Sequence, residues 1–136
     1  MKPRVFVDTS FFKGLLDLED DFHKKAEKVS RELEIKEAIL VTSNFVIDES
    51  YTLLRVRCGL DAAKKLRELL FSGGGQIQII RIQAQDEAKA WEMFLNPWKG
   101  LSFTDCTSFA VMKRLGLTQV AAFDDHFSKA GFKIFT

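Results

Sequence analysis

Residues 5–10, Val5-Phe6-Val7-Asp8-Thr9-Ser10, decide how the rest of the chain is read. Val5-Phe6-Val7 is β-branched and aromatic, as a short buried strand requires. Asp8 ends the run, and Thr9 and Ser10 suit the start of a helix. An acid at the carboxyl end of a first strand stands where open α/β sheets bind their ligands. The same acid is also a good helix N-cap, and the two roles are compatible.

Working outward, strands and helices alternate. Helices are predicted over residues 11–18, 22–36, 45–57, 61–71, 84–95 and from about 103 to 116, with one or two turns over 124–130. Strands are predicted over residues 38–42 (AILVT), 76–82 (QIQIIRI), 118–122 (TQVAA) and 132–135 (FKIF). Thr42, Ser43 and Asn44 each could cap the helix that follows them. The glycines 73–75 follow a helix rather than a strand, so they read as a turn and not as a phosphate cradle. No hairpin signal occurs, and strict alternation argues for a mostly parallel sheet covered on both faces. Right-handed crossovers gather the strand carboxyl ends on one edge, with Asp8 and Asp124 both there.

The 136 residues are expected to form one domain, 1–136, with 46% hydrophobic and 29% charged residues, the balance of a soluble globular protein. The net charge of +1 neither advertises nor excludes a nucleic-acid partner. No apolar run reaches the roughly 20 residues of a membrane span, and Asp8 interrupts any signal-peptide core. Cys58 and Cys106 form no CxxC pair, and with His23 and His126 they match no zinc spacing. Read as reduced and packed, they imply a cytoplasmic protein. His126 reads as a structural or surface residue rather than a general base.

Three further acids invite comparison with Asp8. Glu49 has Phe45, Leu53 and Val56 at helical spacing, which predicts that it shares the inward face. An inward carboxylate needs a partner, either a cation or an internal salt bridge. Asp105 closes an S-x-x-D capping box with Ser102, yet Phe109 and Met112 continue its apolar face. Asp124 comes first after its strand and is favoured over adjacent Asp125. Four carboxylates converging on one edge would raise one another's pKa values unless a divalent cation intervened. Oxygen-only ligands select a hard ion, Mg²⁺ or Mn²⁺. Such a site suits phosphodiester hydrolysis, in which a metal activates water and steadies charge on the phosphate.

Four stretches then show a likeness: VFVDTS (5–10), LVTSNFVIDESYTLL (40–54), LSFTDCTSFAVMKRLG (101–116) and VAAFDDHFSKAGF (120–132). In their order and spacing the chain resembles the PIN-domain family, and within it the VapC-like toxin ribonucleases, over essentially its whole length. The resemblance implies a three-layer α/β/α sandwich with a five-stranded parallel sheet in the order 3-2-1-4-5. It implies Mg²⁺- or Mn²⁺-dependent RNA cleavage, with the family's acids falling on Asp8, Glu49, Asp105 and Asp124. Thr9 would help hold the metal-site network, with Thr104 and Asp125 in lesser supporting roles. It also implies a homodimer and a small antitoxin that inserts a segment into the acidic groove.

Arg55, Arg57 and Lys64, with Lys65 and Arg67, are candidates for phosphate contacts. Trp98, on the turn-rich loop 96–100, could stack on a base or serve packing. The competing reading is a non-catalytic RNA-binding or protein-interaction module on the same fold. A phosphoacceptor domain of receiver type fits less well, because the first strand ends in a single acid and the third ends in none.

Overall fold

The computed structural model describes residues 2–72 and 77–136. The turn expected at residues 73–75 and the first residue of the expected third strand, Gln76, lie outside them. The elements run β1 (Arg4–Val7), α1 (Thr9–Leu16), α2 (His23–Ile35), β2 (Ile39–Ser43), α3 (Asn44–Cys58), α4 (Leu60–Phe71), β3 (Ile77–Ile80), α5 (Ala84–Phe94), α6 (Phe103–Leu115), β4 (Gln119–Ala121), α7 (His126–Lys129) and β5 (Lys133–Ile134). The five strands form one parallel sheet in the order β3-β2-β1-β4-β5, as the resemblance implied.

Val5, Phe6 and Val7 are fully buried, because β1 is central and covered on both faces. From β1 the chain steps outward to β2 and β3, then crosses back to β4 on β1's other side. Right-handed crossovers therefore put α1–α4 on one face and α5–α7 on the other. Helix α1 packs on α2, α3 and α4, while α6 packs on α5 and α7. The strand order reverses beside β1, and that opens a crevice at its carboxyl end.

Polar residues fasten this edge together. Asp8 N–H donates to the Ala121 carbonyl at 3.1 Å, tying the end of β1 to β4. The three candidate caps after β2 take separate tasks. Thr42 Oγ1 donates to the Val7 carbonyl, Ser43 Oγ caps α3 by accepting from Val46 N–H, and Asn44 Oδ1 accepts from Ile82 N–H.

Most expected boundaries differ by only a residue or two. Helix α1 begins at Thr9 rather than 11, because the Asp8 side chain accepts from Ser10 N–H and caps it there. The expected inward face of α3 is corrected. Val46, Ile47, Ser50 and Leu54 are buried, whereas Val56 is 76% exposed and Glu49 only half-buried. The apolar periodicity of Phe45, Leu53 and Val56 lies on the flank of the helix, where α3 overhangs the crevice. Cys58 is likewise exposed rather than packed, and Cys106 is buried; both are free. No helix among the described residues is long and apolar enough to cross a membrane.

One buried acid is plainly structural. Asp86 caps α5 by accepting from Gln83 N–H, and it takes a two-point ion pair from Arg114 of α6 at 2.8 and 2.9 Å. Burial alone would raise its pKa, but the Arg114 and Gln83 hydrogen bonds hold it below the usual carboxylate range. Arg114→Ala leaves that carboxylate buried and unpaired, so it should lower unfolding stability by roughly 3 kcal/mol in urea titrations. The change should be smaller for Arg114→Ala combined with Asp86→Ala.

Candidate active site

A cavity of about 380 Å³ opens at the carboxyl edge of β1 and β4. Asp8, Glu49, Asp105 and Asp124 all line it, together with Thr9, Ser10, Lys13, Ser102 and Phe123. A larger hollow of about 580 Å³ lies at the opposite edge of the sheet, and mostly apolar side chains line it. The chemistry is in the smaller cavity.

Asp8 is 2% exposed. Its Oδ2 accepts from Ser10 N–H at 3.1 Å and from Ser10 Oγ–H at 2.7 Å, while its Oδ1 is buried without any hydrogen-bond partner. Ser10 Oγ in turn accepts from Phe123 N–H at 2.9 Å, linking the first acid to the loop that carries Asp124. Thr9, the expected support, instead accepts from Ser50 Oγ at 3.3 Å and so ties α1 to α3. Ser10 is the residue the sequence reading passed over. A hydroxyl two positions after an Asx N-cap was the available signal, since that position's N–H is the one the cap accepts.

Asp105 is 5% exposed in the first turn of α6. The capping box forms: Asp105 Oδ2 accepts from Ser102 N–H, and Ser102 Oγ accepts from Asp105 N–H. Capping and site membership therefore coexist. Helix α6 is buried over the whole of Asp105–Met112, so the box locks the carboxyl to an immobile element. The Thr104 carbonyl accepts from Thr107 and Ser108, and Thr104 does not line the cavity.

The half-buried Asp124 faces the cavity, whereas Asp125 is 75% exposed and pairs loosely with Lys129 at 3.5 Å. Asp124 Oδ1 accepts from His126 N–H at 2.8 Å. His126 is not a surface residue, being 6% exposed. Its Nε2–H donates to the Lys99 carbonyl at 2.8 Å, and its ring stacks on half-buried Trp98 at 6.5 Å between centroids. Trp98 is thus committed to packing. His126 Nδ1 lies 2.8 Å from Asp124 Oδ1 and 3.4 Å from Asp105 Oδ2. Burial works against protonation of this imidazole, but the Lys99 carbonyl and the two carboxylates outweigh it and raise its pKa.

The carboxyls are strained electrostatically. Burial, with the Asp105 charge adding and the Ser10 hydrogen bonds opposing, pushes Asp8 up to about 7. Burial and the Asp124 charge push Asp105 up to about 6. Lys13 lines the cavity, but Asp17 and Asp20 bind its ammonium. A partnerless buried oxygen beside converging acids is the donor set a hard divalent cation fits. Arg55, Arg57 and Lys64 are exposed, and none lines the cavity.

The chain belongs to the PIN-domain family, whose model matches residues 5–133. It is 37% identical over 129 residues to the 23S rRNA-specific endonuclease VapC20 of Mycobacterium tuberculosis strain CDC 1551 / Oshkosh, covering 94% of this chain and 95% of that protein. The protein of the same name from strain ATCC 25618 / H37Rv gives the same figures. The crystal structure of M. tuberculosis VapC20, described as a Sarcin-Ricin loop cleaving toxin, superposes with a TM-score of 0.84 at 36% identity, covering 94% of this chain and 95% of that one. FitAcB from Neisseria gonorrhoeae shares the fold, with a TM-score of 0.61 at 17% identity over 97% and 96% of the two chains. The chain is therefore a homologue of a VapC-type toxin endonuclease.

The raised carboxyls set a pH dependence. A folded-state pKa above the unfolded 3.8 means that the folded chain holds extra protons between about pH 4 and 7, so the stability they confer is lost as pH rises through 6–7. In EDTA, the melting temperature should fall from pH 5 to pH 8. Asp8→Asn should match wild type at pH 5 and exceed it by several degrees at pH 8, as thermal scans at both pH values will show.

Proposed function

We propose that the chain is a divalent-metal-dependent endoribonuclease of the VapC toxin type. The observation that carries this reading is the pair of buried, unneutralised carboxyls, Asp8 and Asp105, converging with Glu49 and Asp124 at the switch point of the sheet. The likeness to VapC20 supports the same reading over a purely binding module. Asp8 and Asp105 would hold the ion, with Glu49 and Asp124 reaching it directly or through water. Mg²⁺ or Mn²⁺, when bound there, supplies a Lewis acid for the phosphate oxygens and polarises the attacking water.

The protein's own part is orientation. Ser10 holds Asp8 Oδ2, which leaves Oδ1 directed at the cavity. The Ser102 box holds Asp105, and His126 N–H holds Asp124. Fixed carboxylates give the scissile phosphate one seat, and that preorganisation lowers the barrier. Arg55, Arg57 and Lys64 would contact RNA phosphates outside the cavity, each weakly and in a salt-dependent way. Its substrate on this reading is RNA, with 23S rRNA the first to try. A homodimer, a small antitoxin whose segment enters the acidic groove, and a cytoplasmic setting complete the reading.

Purified protein should cleave 23S rRNA with Mg²⁺ or Mn²⁺ and stop in EDTA, followed by primer extension across the cut. Asp8→Asn and Asp105→Asn should each lower the rate by at least a hundredfold with the fold intact by circular dichroism. Ser10→Ala should lower it about tenfold, through loss of Asp8 orientation. Wild-type rates in Asp8→Asn would overturn the site, and cleavage in EDTA would overturn the role of the metal.

A further inference from the structure

The acids alone do not account for His126. It is the most deeply buried nitrogen-bearing side chain at the cavity, and it is one of only two histidines in the chain. Its Nε2–H is committed to the Lys99 carbonyl, so the neutral ring carries its lone pair on Nδ1. Nδ1 is buried and makes no hydrogen bond of acceptable geometry, although two carboxylate oxygens stand close by. A backbone carbonyl on the far nitrogen is the arrangement that metal-ligating histidines use to fix their tautomer. Ligand atoms of Asp105, Asp124 and His126 all lie within 4.8 Å of one another.

The distances are also those of one coordination shell. An octahedral ion with ligands at about 2.1 Å sets neighbouring ligand atoms about 3.0 Å apart. The Nδ1 separations from the two carboxylates, 2.8 and 3.4 Å, bracket that value. Resting on the metal-site reading above, we infer that His126 Nδ1 is a nitrogen ligand of the ion held by Asp105 and Asp124. The site is then a mixed nitrogen–oxygen set rather than an all-oxygen one. Imidazole favours first-row transition ions over Mg²⁺, so Mn²⁺ is the preferred occupant. The stacked Trp98 and the Lys99 carbonyl hold the ring in place, which gives the loop 96–100 a part in metal selection.

The test is electron spin-echo spectroscopy of Mn²⁺-loaded protein without RNA, prepared with ¹⁴N- or ¹⁵N-histidine. The expected result is a directly bound histidine nitrogen in wild type. It should persist in His23→Gln, where His126 is the only histidine left, and vanish in His126→Phe, which keeps the stacking on Trp98. Calorimetric titrations should show the preference for Mn²⁺ over Mg²⁺ falling about tenfold or more in His126→Phe. The wild-type and His23→Gln spectra decide the matter even where His126→Phe does not fold. Mn²⁺ bound with no histidine coupling would overturn the nitrogen ligand and leave the acidic site standing. A failure to bind Mn²⁺ at all would overturn both.

Discussion

Two carboxyl groups, those of Asp8 and Asp105, are held almost wholly out of water, and among the described residues no lysine or arginine pairs with either. Burying a carboxylate costs several kcal/mol unless something offsets its charge. Here the offset falls to protons, to the imidazole of His126 and to whatever cation enters the cavity. The pKa values of about 7 and about 6 are the measure of that demand. Asp86 shows the contrast within the same molecule. Equally buried, it is given Arg114 and is held below the ordinary range. One acid serves the fold, and the other two are left for the site.

The scaffold tolerates this demand because the acids sit on rigid supports. β1 lies at the centre of the sheet, and Asp8 N–H is bonded across to Ala121. α6 is buried over two turns from Asp105. The Ser10 bridge from Asp8 to Phe123 makes the first and fourth acids parts of one hydrogen-bonded unit. Phe123 also stacks on Phe11 and Phe22 and presses against Gly14, whose missing Cβ leaves room for the ring. Apolar packing on one side of the backbone thus positions Asp124 on the other.

Membership of the PIN-domain family and the likeness to VapC20 agree with this electrostatic picture without being needed to derive it. An all-parallel sheet places ligands at its switch point, and this chain puts its unpaired acids there. The loop 96–100 adds a local feature. Trp98 and the Lys99 carbonyl grip His126 from two directions and bring an imidazole nitrogen to the rim of an otherwise oxygen-lined cavity.

The order of strands, the parallel sheet and the candidacy of Asp8, Glu49, Asp105 and Asp124 were legible in the sequence. They rest on local signals: β-branched runs, caps, and acids placed directly after strands. The same local signals misassigned the α3 face, because Phe45, Leu53 and Val56 keep helical spacing along an overhanging flank as well as they would in a core. Only the tertiary structure decided between Thr9 and Ser10, between Asp124 and Asp125, and between a surface and a buried His126. Each of those choices depends on which atoms meet across elements far apart in the chain: Phe123 N–H against Ser10, the cavity wall against Asp124, the Lys99 carbonyl against His126. Periodicity reports which face a residue occupies, and long-range contact determines what that face touches.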